Sequence, residues 1–300
     1  MQPASRRTIF SRQAGLLVCL VVFGGLLTPE VFGQSRRYRP PAQYVQLGKP
    51  DQAEGRKILE DFRLKGIAGD YYLEFTLRVL PRRGDERLVP GRMWGGRNDQ
   101  GPVSRVILQP GVIGTERRLL VQNGPKSAVW AWSGAEAQVS PLGSAALFMP
   151  LAGTDLTAFD LQMPFIYWND FVFEGVAPVR GRPAHVFLLY PPADIATQRP
   201  ELAGVRVYLD TQFGALVQAR QIGEGDRILK TITVLDLKKV DDQWIVKTID
   251  VRDEKTRNKT QFAITGAALG LDFSGGLFEP AALPDTITPP AASRVRQIGP

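Results

Sequence analysis

Histidine and cysteine are almost missing from this sequence: its 300 residues hold one of each, His185 and Cys19. A histidine-centred acid–base pair or a nucleophilic triad would have to rest on His185 alone, and zinc has no ligand set to draw on. His185 lies in the strand-like run "AHVFLLY", where a structural or rim histidine is the plainer reading. No glycine run makes a phosphate loop. "GGRNDQG", Gly95 to Gly101, lacks the strand–loop–helix setting and the Lys-Ser/Thr ending that such a loop requires. Long apolar runs are also scarce, and the long uncharged one, "AGLLVCLVVFGGLL" from Ala14 to Leu27, is short for a membrane span of ~20 residues.

That run follows a basic leader with Arg6, Arg7 and Arg12 and precedes Pro29 and the short residues before Gln34. The three-part layout is that of a secretory signal peptide, with cleavage expected near Gly33. "SRRTIF" resembles a twin-arginine motif, but Ile9 stands where that motif prefers Phe, so the general secretory route is favoured. Cys19 has Val18 before it, where a lipobox wants Gly, Ala or Ser, and reads as a signal-core residue. A chain processed at Gly33 has no cysteine, hence no disulfide framework, thiol nucleophile or thiolate metal site. The formal charge is +7; losing Arg6, Arg7, Arg12 and Glu30 removes a net +2 and leaves +5. Such a mild basic balance suits anionic lipid headgroups. The basic residues form no stripe interleaved with aromatics, so nucleic acid is not an expected partner.

The rest reads as strands and turns. "SRRYRPPAQYVQLGKP", Ser35 to Pro50, has the composition of a flexible linker. Asp51 is an N-cap candidate for a helix with Ile58, Leu59 and Phe62 on one face, ending at Gly66. "DYYLEFTLRVLP", from Asp70, alternates Tyr71, Leu73, Phe75, Leu77 and Val79 against Tyr72, Glu74, Thr76 and Arg78, as in a sheet with one wet face. "PRRGDERLVPGRMWGGRNDQGP", Pro81 to Pro102, reads as a long surface loop with at most a short strand near Met93. Strand-like runs start at Val103, Arg117 and Ala128. "RVYLDTQFGALVQARQI", Arg206 to Ile222, reads as a hairpin with one buried face, and further strands continue to Gly266. No long helices intervene, which predicts a mainly β, antiparallel meander. Ser144 to Gly175 is different: apolar and aromatic, fitting neither period, with Thr154 or Asp155 able to cap a short helix through Leu161. From Pro280 the composition predicts disorder. The organisation expected is a signal peptide at 1–33, a linker at 34–50, one domain at 51–285 and a disordered tail at 286–300.

Candidate chemistry is thin. Asp85-Glu86, Asp241-Asp242 and Asp253-Glu254 are sequence neighbours, which point to opposite faces of a strand and sit where turns want polar residues. A hydrolase built on distant carboxylates stays open as an alternative. What stands out is the apolar surplus of Phe165 to Phe173 and Val186 to Leu189. It either fills an ordinary core under short helices or lines a hollow for an acyl chain, which needs walls rather than nucleophiles.

The C-terminal half resembles the outer-membrane lipoprotein-sorting domain family, relatives of the LolA and LolB lipoprotein carriers. The resemblance rests on Asp210, Lys230, Trp244, Thr256, Lys259 and Thr260, in that order. "LAGTDLTAFDL" adds Gly153, Thr154, Asp155, Thr157, Asp160 and Leu161, and "DFSGGLFEPAAL" matches the closing segment. The resemblance implies a strongly curved antiparallel half-barrel with helices on its concave face, and non-catalytic, cofactor-free binding of lipid or lipoprotein acyl chains in the hollow. It points to outer-membrane lipoprotein sorting, with envelope membrane proteins as candidate partners; with the leader cleaved, a periplasmic or otherwise exported monomer is expected. The expected cavity walls are Leu73, Phe75, Leu77, Phe148, Met149, Phe165, Trp168, Phe187 and Leu189. A structural or interaction module of the envelope with a filled core is the alternative.

Overall fold

The antiparallel meander predicted from alternation is realised in one continuous sheet. A computed structural model describes residues 37–45, 48–109, 116–134, 138–273 and 275–299. The stretch read as a signal peptide, the first residues of the expected linker and the expected turn at Pro110–Gly111 lie outside the described residues. Fourteen strands make the sheet: β1 (Asp70–Leu80), β2 (Arg87–Asn98), β3 (Gly101–Leu108), β4 (Arg117–Gln122), β5 (Ala128–Ser133), β6 (Ser140–Pro141), β7 (Phe171–Val179), β8 (Arg182–Leu189), β9 (Gly204–Asp210), β10 (Leu216–Ile222), β11 (Ile228–Val240), β12 (Gln243–Asp253), β13 (Lys259–Leu271) and β14 (Arg296–Gln297). Their order is β6-β5-β4-β3-β2-β1-β13-β12-β11-β10-β9-β8-β7, with β14 added on β13. The sheet is antiparallel, curved and unclosed, a half-barrel with a few short helices.

The order has a consequence for function. The free edges are β6 and β7, which follow each other in sequence. The chain between them, residues 142–170, therefore runs from one edge of the sheet to the other. It carries helix α2 (Ala158–Gln162) and short 3-10 turns at Ala146–Phe148 and Pro164–Tyr167. Thr157, rather than Thr154 or Asp155, caps α2, in a reciprocal capping box with Asp160. Helix α1 (Gln52–Leu64) starts at Asp51 as predicted, the carboxylate accepting from the Ala53 amide. It docks on β7 through Gly55, where a Cβ would run into the Phe173 ring.

Three expectations fail for identifiable reasons. The stretch 81–102 is not a loop: β2 occupies most of it and pairs with β1 in register Phe75↔Gly91 and Tyr71↔Gly95. The glycines that suggested a loop lie under the Phe75 and Tyr71 rings, which fill the space a side chain would take. Burial of that kind pushes the Tyr71 phenol up to about 12. Residues 37–45, expected to be a flexible linker, lie on the sheet: the Gln43 and Val45 amides donate to Glu174, Tyr190 donates to the Pro40 carbonyl, and Arg39 pairs with Asp170. This segment and the buried Arg206–Glu174 ion pair at 2.7 Å cover the outer side of β9, so every residue of β9 is buried rather than one face.

The tail expected to be disordered is ordered as well. Leu283, Ile287 and Val295 pack on the outer face of the sheet against Tyr72, Trp94 and Leu120. Arg105 and Arg118 donate to the carbonyls of residues 283–285, supplying bonds that a segment without regular structure lacks. Burial and its neighbour Arg118 bring the Arg105 guanidinium down to about 10. The compact unit accordingly runs from Arg37 to Pro300, wider than 51–285 at both ends. β12 and β13 pair only from Arg252↔Lys259 to Thr248↔Ala263. Beyond that point the strands part, β14 pairs with Gly266 and Ala267, and Ile298 enters the main core.

Candidate functional site

Alternation along each strand builds the inner face. The registers place Leu73, Phe75 and Leu77 beside Met93, Gly91 and Val89 on one side and align Phe75 and Leu77 with Ile264 and Phe262 on the other. The same face continues through Val106 and Leu119 toward β5, and through Val207, Phe187 and Phe173 toward β7. All belong to one apolar cluster that includes Leu59 of α1 and Leu156, Phe159, Phe165 and Trp168 of the bridging segment. The Phe159 ring lies 4.6 Å from Phe148, 5.9 Å from Phe165 and 6.3 Å from Trp168, so the segment lays an aromatic cluster into the open side of the half-barrel.

The segment is held at two points. Arg63, at the end of α1, donates to the carbonyls of Ile166 (2.8 Å) and Trp168 (3.0 Å), and its burial lowers its pKa. The second anchor is polar and buried. Lys230 of β11 donates to Asp160 Oδ2 at 2.7 Å and to the Asp155 carbonyl at 2.8 Å. Gln221 donates to Asp160 Oδ1 at 2.8 Å, and Thr260 of β13 bonds the Asp155 carboxylate at 3.1 Å. Asp160 is fully buried and Lys230 is 9% exposed, so the pair is shielded from solvent. Next to it lies a cavity of about 120 Å³ of mixed lining, touched by Phe148 and Pro150 as well as by Asp155, Lys230, Arg199 and Asp253. No group of three or more His, Cys, Asp or Glu that could hold a metal ion occurs among the described residues.

Of the nine residues expected to line a hollow, Leu73, Phe75, Leu77, Phe165, Trp168, Phe187 and Leu189 are buried in the main core, and Phe148 packs partly buried against it. Met149 is elsewhere, 63% exposed at the surface. These side chains pack together between the sheet and the bridging segment. The motif residues Asp155, Asp160, Lys230 and Thr260 converge on the polar anchor, whereas Asp210 is a turn residue accepting from the amides of Gln212 and Phe213. The Lys230–Asp160 bond was not foreseen. Its signal was two polar residues 70 positions apart, each embedded in an apolar run. His185 sits against the Phe173 ring with Nδ1 buried and unpartnered, and burial lowers its pKa.

A curved, unclosed antiparallel sheet with few short helices is consistent with a LolA-like half-barrel. Solved structures agree. A DUF1329 family protein from Desulfovibrio piger is 17% identical with a TM-score of 0.67, over 79% of this chain and 100% of that one. A putative outer membrane lipoprotein-sorting protein domain from Vibrio parahaemolyticus is 18% identical with a TM-score of 0.66, over 78% and 99%. A LolA superfamily protein from Nitrosomonas europaea is 14% identical with a TM-score of 0.58, over 75% and 96%. The resemblance read from the motifs is thus matched by the fold. More particularly, a family model described as an uncharacterized protein matches residues 106–285, over half of the sequence, and the chain belongs to that family. No curated protein matches.

Proposed function

We propose that this is an exported, non-catalytic carrier-like protein of the cell envelope that takes lipid, or the acyl chains of a lipoprotein, into the apolar interior of its half-barrel. The observation that carries the reading is the closure of a largely apolar inner face by a single segment, residues 142–170, joined to a buried polar patch of that face at Gln221, Lys230 and Thr260. The filled interior is then the resting form. Cargo enters by exchanging places with the aromatic side chains of that segment.

The magnitudes are compatible. An acyl chain with about 15 methylenes gains roughly 12 kcal/mol on burial, and undocking Phe148, Phe159, Phe165 and Trp168 costs about 6–12 kcal/mol at 1.5–3 each. The two terms are of the same order, so exchange needs no large external drive. The test is native mass spectrometry of protein purified from membranes, together with titration of a fluorescent fatty acid. A co-purifying lipid and saturable uptake support the reading; a bare mass and no uptake refute it.

A second reading, an interaction module with a permanently filled core, is favoured by the packing itself. The inner-face residues are almost wholly buried, and the cavity beside Lys230 is small, about 120 Å³. Uptake of the fluorescent fatty acid separates the two readings.

A further inference from the structure

The cavity at the polar anchor keeps unused bonding capacity of both signs. Thr157, Gln221 and Lys230 line it, and each is less than a tenth exposed. Lys230 has three N–H donors and spends two, on Asp160 and on the Asp155 carbonyl, so one remains where its ammonium meets the cavity. Arg199 pairs through Nε with Glu201 and stands over the Phe148 ring at 4.6 Å, and its two Nη groups make no bond among the described residues. Acceptors are free as well. Asp155 Oδ2 meets Thr260, and Asp253 Oδ1 takes the amides of Lys255 and Thr256, but Asp155 Oδ1 and Asp253 Oδ2 have no partner among the described residues.

Charge narrows the ligand. Lys230 is balanced by Asp160 and Arg199 by Glu201, whereas Asp155 and Asp253 line the cavity without a counter-ion among the described residues. The surplus is therefore negative: it draws a cationic group, while the leftover N–H donors suit an oxyanion on the same ligand. Size limits that ligand to a few atoms, since about 120 Å³ is the space of roughly four liquid waters. Phe148 and Pro150 form the apolar side of the cavity, and the Phe148 ring leads at 4.6 Å to Phe159 in the apolar interior. A short zwitterionic head whose tail continues among apolar rings meets all of these conditions. We infer that the cavity holds the phosphoethanolamine head of a lipid, with its ammonium on Asp155 and Asp253 and its phosphate on Lys230 and Arg199. The inference rests on the carrier reading and adds to it a choice of headgroup. The anchor engages Asp155 and Asp160 rather than the rings, so it can stay closed on the head while the rings give way to the chain.

The test uses the full-length protein and two sets of probes. The first is calorimetric titration with free phosphoethanolamine, phosphocholine and glycerol phosphate, which needs no acyl chain. The second is titration with lysophospholipids that share one fluorescent chain and carry ethanolamine, choline or glycerol heads. The inference predicts that the ethanolamine head binds at least tenfold tighter than choline, which has no N–H to give the carboxylates, and than glycerol, which brings no positive charge. The same order is expected in both sets, with the lysolipid tighter than its free head. Asp155→Asn and Asp253→Asn should each lose most of the preference while remaining folded by circular dichroism. Equal affinity for the three heads, or full preference kept in both variants, would overturn the inference. So would a lysolipid that binds no tighter than its free head, which would make the ligand a soluble zwitterion. Fatty acid taken up while the heads are not distinguished overturns the inference alone; no uptake of fatty acid or of any lysolipid overturns the carrier reading and, with it, the lipid assignment.

Discussion

Replacing Lys230 with methionine tests whether residues 142–170 are held as a separable lid. The substitution keeps the stem and removes the ammonium. At the observed 2.7 Å, the attraction to Asp160 is about 6 kcal/mol for an effective dielectric of about 20, and much of it offsets the desolvation of the two ions. The net worth of the pair is therefore small, but the cost of halving it is not. Asp160 would keep its bonds from Thr157 and Gln221 and lose its counter-charge inside the protein, a loss of about 3–5 kcal/mol. Lys230→Met/Asp160→Asn removes both charges, keeps the cap of α2, and should return to within about 1 kcal/mol of wild type. Urea titration gives the global values, and hydrogen exchange of the amides of residues 151–167 reports local opening. Faster exchange confined to that segment in Lys230→Met, restored in the double variant, is the expected outcome. A loss below about 1 kcal/mol with unchanged local exchange would refute the idea that this ion pair holds the lid.

Three further outcomes follow from the packing. Ending the chain at Val295 removes β14 and Ile298; losing that side chain costs about 1.5–3 kcal/mol and unseals the parting of β12 and β13, so the melting temperature falls and fatty-acid uptake quickens. Gly91→Val puts a side chain into the space of the Phe75 ring and should cost about 1–3 kcal/mol in chemical denaturation, partly recovered by adding Phe75→Leu. His185 has its pKa lowered by burial, so the unfolded chain binds its proton first: stability from this group is complete above about 6.5 and is lost as pH falls toward the folded value. Melting temperatures from pH 8 to pH 5 should fall more steeply in wild type than in His185→Leu.

Much of the sheet was readable because alternation is a strong signal. β1 shows it over its whole length, and the burial of Leu73, Phe75, Leu77 and Val79 follows it. Helix α1 was readable from Asp51 and the spacing of Ile58, Leu59 and Phe62. β2 was hidden because its glycines are explained only by rings on a neighbouring strand. The ordered termini were hidden for a related reason. Their composition is that of linkers, and their order comes from distant partners: Glu174 and Tyr190 for residues 37–45, Arg105 and Arg118 for residues 283–285. The aromatic stretch 144–175 defied both periods because it bridges two sheet edges instead of continuing an element. The motif residues around Lys230 were visible, but their meeting depends on β13, β12, β11 and β10 following one another across the sheet, which pairing alone establishes.

Exchange of the lid's aromatic rings for an acyl chain is the claim on which the functional account stands. Photo-crosslinking with a fatty acid that carries a diazirine at the end of its chain addresses it directly, with the attachment sites read by peptide mass spectrometry. Adducts on Phe165, Trp168, Phe187 or Leu189, competed away by unlabelled fatty acid, are predicted. Adducts confined to exposed side chains such as Trp244, or none that unlabelled fatty acid displaces, would contradict it.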